Sequence, residues 1–310
     1  VTEYSWQDVN CPLCPGDSRS SSFLHCNDRL VERSQMAFVL RRCDTCELTF
    51  LSPRPDQKAM QAAYQAEAYD PFQSLQPAAS IYDRAYRIAR AYTLSWKKKL
   101  VQNLVPAGSR ILDGGCGTAE FINSLKNSYE VVGYEPEPKI ALWAQKQYGL
   151  SIHAGDSTTL PDSIEQFDLI TLWHVLEHVP DPVNELQRLM SILKRGGKLL
   201  IAVPNISAAD AVIYGSCWVA LDAPRHLWHF SKKQLILLAN LTGFKLQKVG
   251  MLPLDVYYNS LLSEKICLSR KGYPQLVLAP FRLSIAIISS LIYGLISGRH
   301  SSNYYVLVKK

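Results

Sequence analysis

No apolar stretch opens this sequence, no internal repeat runs through it, and no uncharged apolar run reaches the ~20 residues that cross a bilayer as a helix. These absences leave no signal-peptide core, no solenoid and no membrane span to expect. Charge is also modest: Asp, Glu, Lys and Arg make up 19% of the chain and the formal net charge is +6. Part of that charge sits in Lys97-Lys98-Lys99, with no aromatic-plus-basic RNA motif beside it, so it reads as a solvated helix face and nucleic acid is not an expected partner. What is present is enough for a full core. With 310 residues, 47% of them hydrophobic, the chain suits one large domain and a small appendage.

Of eight cysteines, four form two C-x-x-C pairs, while Cys26, Cys116, Cys217 and Cys267 follow no pattern. That favours metal over disulfides and a reducing cytoplasm as the location. Residues 1–55 are polar and cysteine-bearing, and Ser52-Pro53-Arg54-Pro55 punctuates their end. From 56 to 104 the pattern is helical, a linker and lid, with Ile81, Ala85, Ile88, Tyr92 and Trp96 as the packing stripe. Residues 105–310 alternate short apolar runs with helical stretches. Arg110–Leu112, Glu130–Tyr134, Phe167–Trp173 and Lys198–Val203 read as buried parallel strands of an α/β, doubly wound Rossmann-like sheet. Phe244–Met251 and Tyr304–Val308 add a terminal antiparallel hairpin, interrupted by an apolar helical insertion at about 252–302. Within it, Leu283–Gly298 is uncharged and too short to span. It is expected in the core, against a second copy of the chain or at the periphery of a membrane, with Ser290, Gly294 and Ser297 on one face.

The segment Ile111-Leu112-Asp113-Gly114-Gly115-Cys116-Gly117-Thr118-Ala119 is a strand end, a glycine-rich turn and a helix start. A ligand can approach a backbone only where no Cβ intervenes, and Gly also accepts the positive φ of a tight turn. Dinucleotide-binding enzymes use a similar turn for pyrophosphate, but Asp113 at its start would be a poor neighbour for that group, and Ala119 stands where a third Gly would be. A carboxylate suits a cation, such as a sulfonium with a free ammonium. About 20 residues on, Glu135 ends the next strand, where an acid can accept ribose hydroxyls.

Leu112–Ala119, Glu135, Gly155-Asp156 and Phe167–Pro180 resemble the successive motifs of class I S-adenosylmethionine-dependent methyltransferases, over roughly residues 80–250. The resemblance implies that Gly115 and Gly117 adjoin the methionine part of the donor, Glu135 the ribose, and Asp156 with Ser157 the adenine, with Asp113, Pro136 and His174 as further cofactor-binding residues. Ala119 replaces the family's more frequent Gly.

His174-Val175-Leu176-Glu177-His178 follows the Phe167–Trp173 strand. H-x-x-E-H also describes a class of zinc peptidases, but here the segment stops at Pro180, leaving no long helix for such a site. In the resembling enzymes this segment floors the active site, which makes His174 a candidate base. His178 and Glu177 are expected to orient the loop, with His178 a further catalytic candidate. Methyl transfer is an in-line displacement, so the enzyme aligns the nucleophile and removes its proton where it has one. Pro224-Arg225-His226-Leu227-Trp228-His229-Phe230-Ser231 resembles a segment of a bacterial methyltransferase subgroup that carries zinc knuckles. There His226 is a rival base, Arg225 an anion anchor and Ser231 a helix cap.

Cys11-Pro12-Leu13-Cys14 and Cys43-Asp44-Thr45-Cys46 can place four thiolates on one tetrahedral zinc ion, joined by a strand pair between Phe23 and Leu40. A closed four-cysteine site leaves no position for water, so the metal is expected to be structural. His25 or Cys26 is the alternative ligand. The expected activity is methyl transfer from S-adenosylmethionine to O, N or C of a small-molecule acceptor: a sugar nucleotide, a secondary metabolite or a lipid-linked compound. The other expectations are a scaffold protein that recruits a partner through the knuckle, and an NAD-dependent oxidoreductase, which the acidic turn disfavours.

Overall fold

The computed structural model describes residues 5–14, 16, 18–30, 37–56, 59–60, 81–161, 163–271 and 276–309. Five short strands come first: β1 (Trp6–Gln7), β2 (Ser20–Asn27), β3 (Ala37–Cys43), β4 (Thr49–Leu51) and β5 (Arg54–Pro55). Helix α1 (Ile81–Gln102) follows; the rest of the expected helical stretch, from 61 to 80, lies outside the described residues. The main part alternates β6 (Arg110–Gly114), α2 (Glu120–Leu125), β7 (Glu130–Glu135), α3 (Pro138–Tyr148), β8 (Ser151–Ala154), β9 (Phe167–Trp173), α4 (Pro182–Ser191) and β10 (Leu193–Pro204). Then come α5 (Ala209–Tyr214), β11 (Trp228–His229), α6 (Lys232–Leu241), β12 (Phe244–Met251), α7 (Asp255–Lys271), α8 (Ala279–Ser297) and β13 (Ser302–Lys309).

The large sheet has the order β12-β13-β10-β9-β6-β7-β8. β10, β9, β6, β7 and β8 run parallel, and β13 lies antiparallel between β10 and β12. The expected doubly wound sheet with its antiparallel terminal pair is therefore what forms. Central β9 reads Phe-Asp-Leu-Ile-Thr-Leu-Trp because both its faces are covered. Leu169, Ile170 and Leu172 are fully buried, each contributing roughly 1.5–3 kcal/mol relative to exposure. Local chemistry sets the helix ends. Asp181 caps α4 by accepting the N–H groups of Val183 and Asn184, with Pro182 at the first position, and α3 ends at Gly149 in the left-handed region.

Three expectations need correction. Strand β8 was absent from the sequence pattern, since Ser-Ile-His-Ala is a short edge segment with one buried side chain. In α1 the expected packing stripe is misplaced: Ile88 and Tyr92 are exposed, while Trp96 packs on Trp173 and Tyr304 and Leu100 and Val101 are buried. Nor is Lys97 part of a solvated face, because its Nζ lies 4.3 Å from the Trp173 ring centroid.

Residues before position 55 do not stand apart. β2, β3 and β4 form a four-stranded sheet completed by β11, from the histidine-rich segment far along the chain. Phe50 and Trp228 pack across that junction, and a single apolar core runs from Cys11 and Leu13 through Phe50 to Ile170 and Leu172.

Candidate active site and cysteine cluster

At the carboxyl end of β6 the chain turns through Gly115 (φ 60°) and Gly117 (φ 54°) into α2. A Cβ on Gly115 would lie 2.7 Å from Val175 Cγ2, so both φ and space require glycine there; at Gly117 the added carbon would meet open space. Ala119, in place of a further glycine, takes a left-handed φ of 58°. Below the turn Asp113 is buried, and its Oδ1 accepts the Thr171 hydroxyl at 2.5 Å. Burial pushes its carboxyl up to about 7, with Thr171 and Lys97 opposing. Burial likewise draws Lys97 down to about 8, against the pull of Asp113 and Asp255.

Glu135 ends β7 directly opposite the turn. Its Oε2 accepts the Gly117 N–H at 2.9 Å and its Oε1 the Glu137 N–H at 3.0 Å. Burial raises its pKa while those two N–H groups oppose the shift. Pro136 follows at the same strand end. Asp156 is exposed one strand further along and folds the next turn by accepting the Thr158 N–H. Ser157 is different: fully buried, its hydroxyl donates to Glu185, which also accepts the Tyr134 hydroxyl at 2.7 Å. Its side chain thus ties the turn after β8 to α4, while Tyr134 ties β7 to the same carboxylate.

Leu172 registers with Gly114, so His174 emerges two residues later at the same sheet edge as the glycine turn. Its φ is 57°, a conformation costly for a non-glycine residue and typical of sites where position matters more than strain. Nδ1 stands 3.3 Å from Glu177 Oε1 and Nε2 3.1 Å from Asp255 Oδ2. Burial disfavours the charged ring, but the two carboxylates outweigh it and hold the pKa up at about 10. Asp255 begins α7, in the apolar insertion, and no local motif marked it.

A cavity of about 270 Å³ opens beside His174, lined by His226, Asp222, Asp255, Tyr258 and Arg29. His226 Nδ1 lies 2.7 Å from the Ala220 carbonyl, so that nitrogen carries the proton and Nε2 the lone pair. Burial draws its pKa down to about 3, with His178 adding to the effect and Asp222 and Glu177 opposing it. His178 stands behind it, ring centroids 4.6 Å apart, with Nδ1 3.0 Å from the Arg225 carbonyl. Arg225 itself is fully buried and pairs with Asp28 (2.7 Å) and Asp222 (2.6 Å). Arg29 pairs with Asp222 at 2.7 Å and reaches the cavity from the bend just after β2. The anion anchor expected at Arg225 is thus engaged in the core, and Arg29, which nothing in the sequence pattern marked, is the arginine at the cavity.

The thiols of Cys11, Cys14, Cys43 and Cys46 lie within 4.8 Å of one another, and Cys11 Sγ is 3.5 Å from Cys46 Sγ. Among the described residues Cys26 is buried elsewhere, on β2, and neither it nor His25 joins the cluster. Burial alone would raise the Cys43 thiol, but the N–H groups of Cys46 and Thr45 lower it to about 7. Glu47, where knuckles often have Gly, takes the same left-handed turn at φ 66°. Its neighbour Cys46 accepts, through its carbonyl, the Gln234 side-chain N–H at 2.7 Å, and Gln234 Oε1 accepts the N–H of Ser231, the expected cap of α6. Four converging soft ligands, one already acidified, fit a tetrahedral zinc ion.

Residues 80–249 match the family model described as a methyltransferase domain. A ubiquinone biosynthesis O-methyltransferase of Xanthomonas axonopodis pv. citri is 31% identical over 136 residues, 41% of this chain and 57% of that protein. A demethylmenaquinone methyltransferase of Staphylococcus saprophyticus is 29% identical over 50% of this chain and 69% of its own length. The chain thus spans just over half the length of the first of these curated relatives. The crystal structure of magnesium protoporphyrin IX methyltransferase from Synechocystis PCC 6803 with bound SAH shares the fold, with a TM-score of 0.53 at 13% identity, covering 82% of this chain and 100% of that one.

Proposed function

Since the chain belongs to the methyltransferase domain family, we propose that it transfers the methyl group of S-adenosylmethionine to a nucleophilic O, N or C atom of a small-molecule acceptor held in the cavity beside His174 and His226. The observation that carries this reading is the convergence of two independent elements on one sheet edge. The glycine turn with Glu135 opposite it suits the donor, and the histidine-lined cavity adjoining it suits an acceptor. Relatives named for ubiquinone biosynthesis and demethylmenaquinone support a small-molecule acceptor.

Gly115 and Gly117 would border the methionine portion, Glu135 and Pro136 the ribose, and Asp156 with the Ser157 backbone the adenine. S-adenosylmethionine supplies an electrophilic methyl on a sulfonium, and the chain aligns the nucleophile with it. His226 is the base of this reading, because its Nε2 is a proton-free nitrogen of a cavity-lining ring, 4.0 Å from Asp222, and burial keeps that ring neutral, if weakly basic. Both nitrogens of His174, by contrast, lie within 3.3 Å of carboxylates that hold it protonated. His174 then serves as a charged anchor between Asp255 and Glu177, and His178 packs His226 in place. Cys11, Cys14, Cys43 and Cys46 would hold a zinc ion that folds the sheet bearing Arg29 and β11. Arg29, just beyond the end of β2, lines the cavity, which favours an enzyme over a scaffold that lends its knuckle to a partner.

The test is transfer of radiolabelled methyl from S-adenosylmethionine to a panel of phenolic, quinol and sugar-nucleotide acceptors. His226→Ala should lower turnover on a responsive acceptor by about 10²–10⁴-fold with donor affinity unchanged. Full turnover in that variant would move the base elsewhere.

A further inference from the structure

Helix α8 has its side chains arranged the opposite way to a soluble surface helix. Its buried face is Ala279, Ala286, Ser290 and Gly294, while Phe281, Ile285, Ile288, Ile292, Leu295 and Ile296 are between 53% and 79% exposed. Two contacts fix that orientation. Ser290 Oγ donates to Asp210 Oδ1 and accepts the Asp210 N–H, both at 2.8 Å, and a Cβ on Gly294 would run into the His300 ring. The small residues therefore let α8 lie close on the protein, and the large apolar ones form one outward stripe at i, i+4, i+7 and i+11. Leu276, Val277 and Leu278, in the turn before it, are more than half exposed and extend the patch. A continuous apolar surface of this kind marks a contact with something apolar.

Charge decides what that is. From Lys265 to the end of the sequence there is no Asp or Glu but seven Lys and Arg, whereas the remainder holds 26 basic against 27 acidic residues. The whole positive excess of the protein thus lies in this stretch of the sequence, which reaches beyond the helix to Lys309, whose ammonium donates to the Leu193 carbonyl at the far end of β13. Arg282 is offset by Glu264 at its edge, while Arg299 stands exposed at the far end. A second copy docking through this face would bring like excess charge together, whereas an anionic headgroup layer complements Arg299 at the end of the stripe. We propose that α8 docks the protein on an anionic phospholipid bilayer, lying in the interface with the Phe281–Ile296 stripe in the acyl boundary. It does not span, because its inner face is committed to the fold through Ser290 and Asp210. Since α7 packs against α8 and supplies Asp255 and Tyr258 to the cavity, docking sets the cavity beside the bilayer. That consequence rests on the proposed acceptor site; the docking itself does not.

Co-sedimentation with vesicles, in the absence of any acceptor, tests it. The protein should bind equimolar phosphatidylglycerol and phosphatidylcholine vesicles about tenfold more tightly than pure phosphatidylcholine, and added salt should reduce that preference. Ile288→Asp with Leu295→Asp should weaken binding about tenfold or more, with circular dichroism and S-adenosylmethionine affinity as controls for the fold. Arg299→Glu, at an exposed position, is the second probe and should weaken binding to the anionic vesicles alone. Absence of binding to either vesicle, binding indifferent to these substitutions, or a soluble dimer that the aspartate pair dissociates would overturn the proposal.

Discussion

His174 Nε2, at the end of β9, stands 3.1 Å from Asp255 Oδ2 at the start of α7, while its Nδ1 faces Glu177 at 3.3 Å. The two carboxylates outweigh burial and raise the imidazole from its ordinary 6.5 to about 10. A folded-state pKa above the unfolded value means that the pairing stabilises fully below pH 6.5 and is lost as pH rises through about 10. NMR titration of His174 should show an imidazolium throughout neutral pH, and Asp255→Asn should lower its midpoint. A ring that titrates near 6.5 in the unsubstituted protein would remove the anchor role and reopen His174 as the base.

Arg225 is fully buried with Asp28 and Asp222 on its guanidinium, and its carbonyl faces His178. Removing Asp28 leaves Arg225 sharing Asp222 with Arg29, two guanidinium groups on one carboxylate, so Asp28→Ala should cost about 3 kcal/mol in urea unfolding. Because Asp28 comes from the N-terminal sheet, the same substitution should also weaken acceptor turnover more than donor binding. A loss below ~1 kcal/mol would mean that the pair is solvated.

Much of this fold was legible in advance. Short apolar runs marked β6, β7 and β9 because central parallel strands are buried on both faces, and glycines marked the turn after β6, where at Gly115 both φ and space require one. Residues that act over long sequence distances left no such trace. Asp255 reaches His174 from an insertion whose apolar texture hid it, and Arg29 reaches the cavity from the bend after β2. Lys97 looked like one member of a solvated triplet, yet its place on α1 points it over Trp173. Ser157, expected beside the adenine, turns its hydroxyl to Glu185, a partner only the packing of α4 supplies.

The cysteine cluster predicts one zinc ion per chain, released by a thiol-blocking mercurial and counted with a chromogenic chelator. Cys43→Ser should lower the thermal midpoint and loosen the sheet that contains β11, while S-adenosylmethionine affinity changes little. Metal-free protein with an unaltered thermal midpoint would contradict a structural role.

Gly115→Ala places a Cβ 2.7 Å from Val175 at a φ of 60° and should weaken donor binding about tenfold or more, a loss of ~1.4 kcal/mol per factor of ten. Unchanged affinity in a folded variant would show that the turn does not border the donor.

The most direct test is calorimetric titration with S-adenosylmethionine, S-adenosylhomocysteine and NAD, repeated on Glu135→Ala. Saturable binding of the first two is expected, none of NAD, and about tenfold or greater weakening by the substitution, since it removes the carboxylate proposed to hold the ribose hydroxyls. Preference for NAD, or S-adenosylmethionine binding indifferent to Glu135, would contradict it.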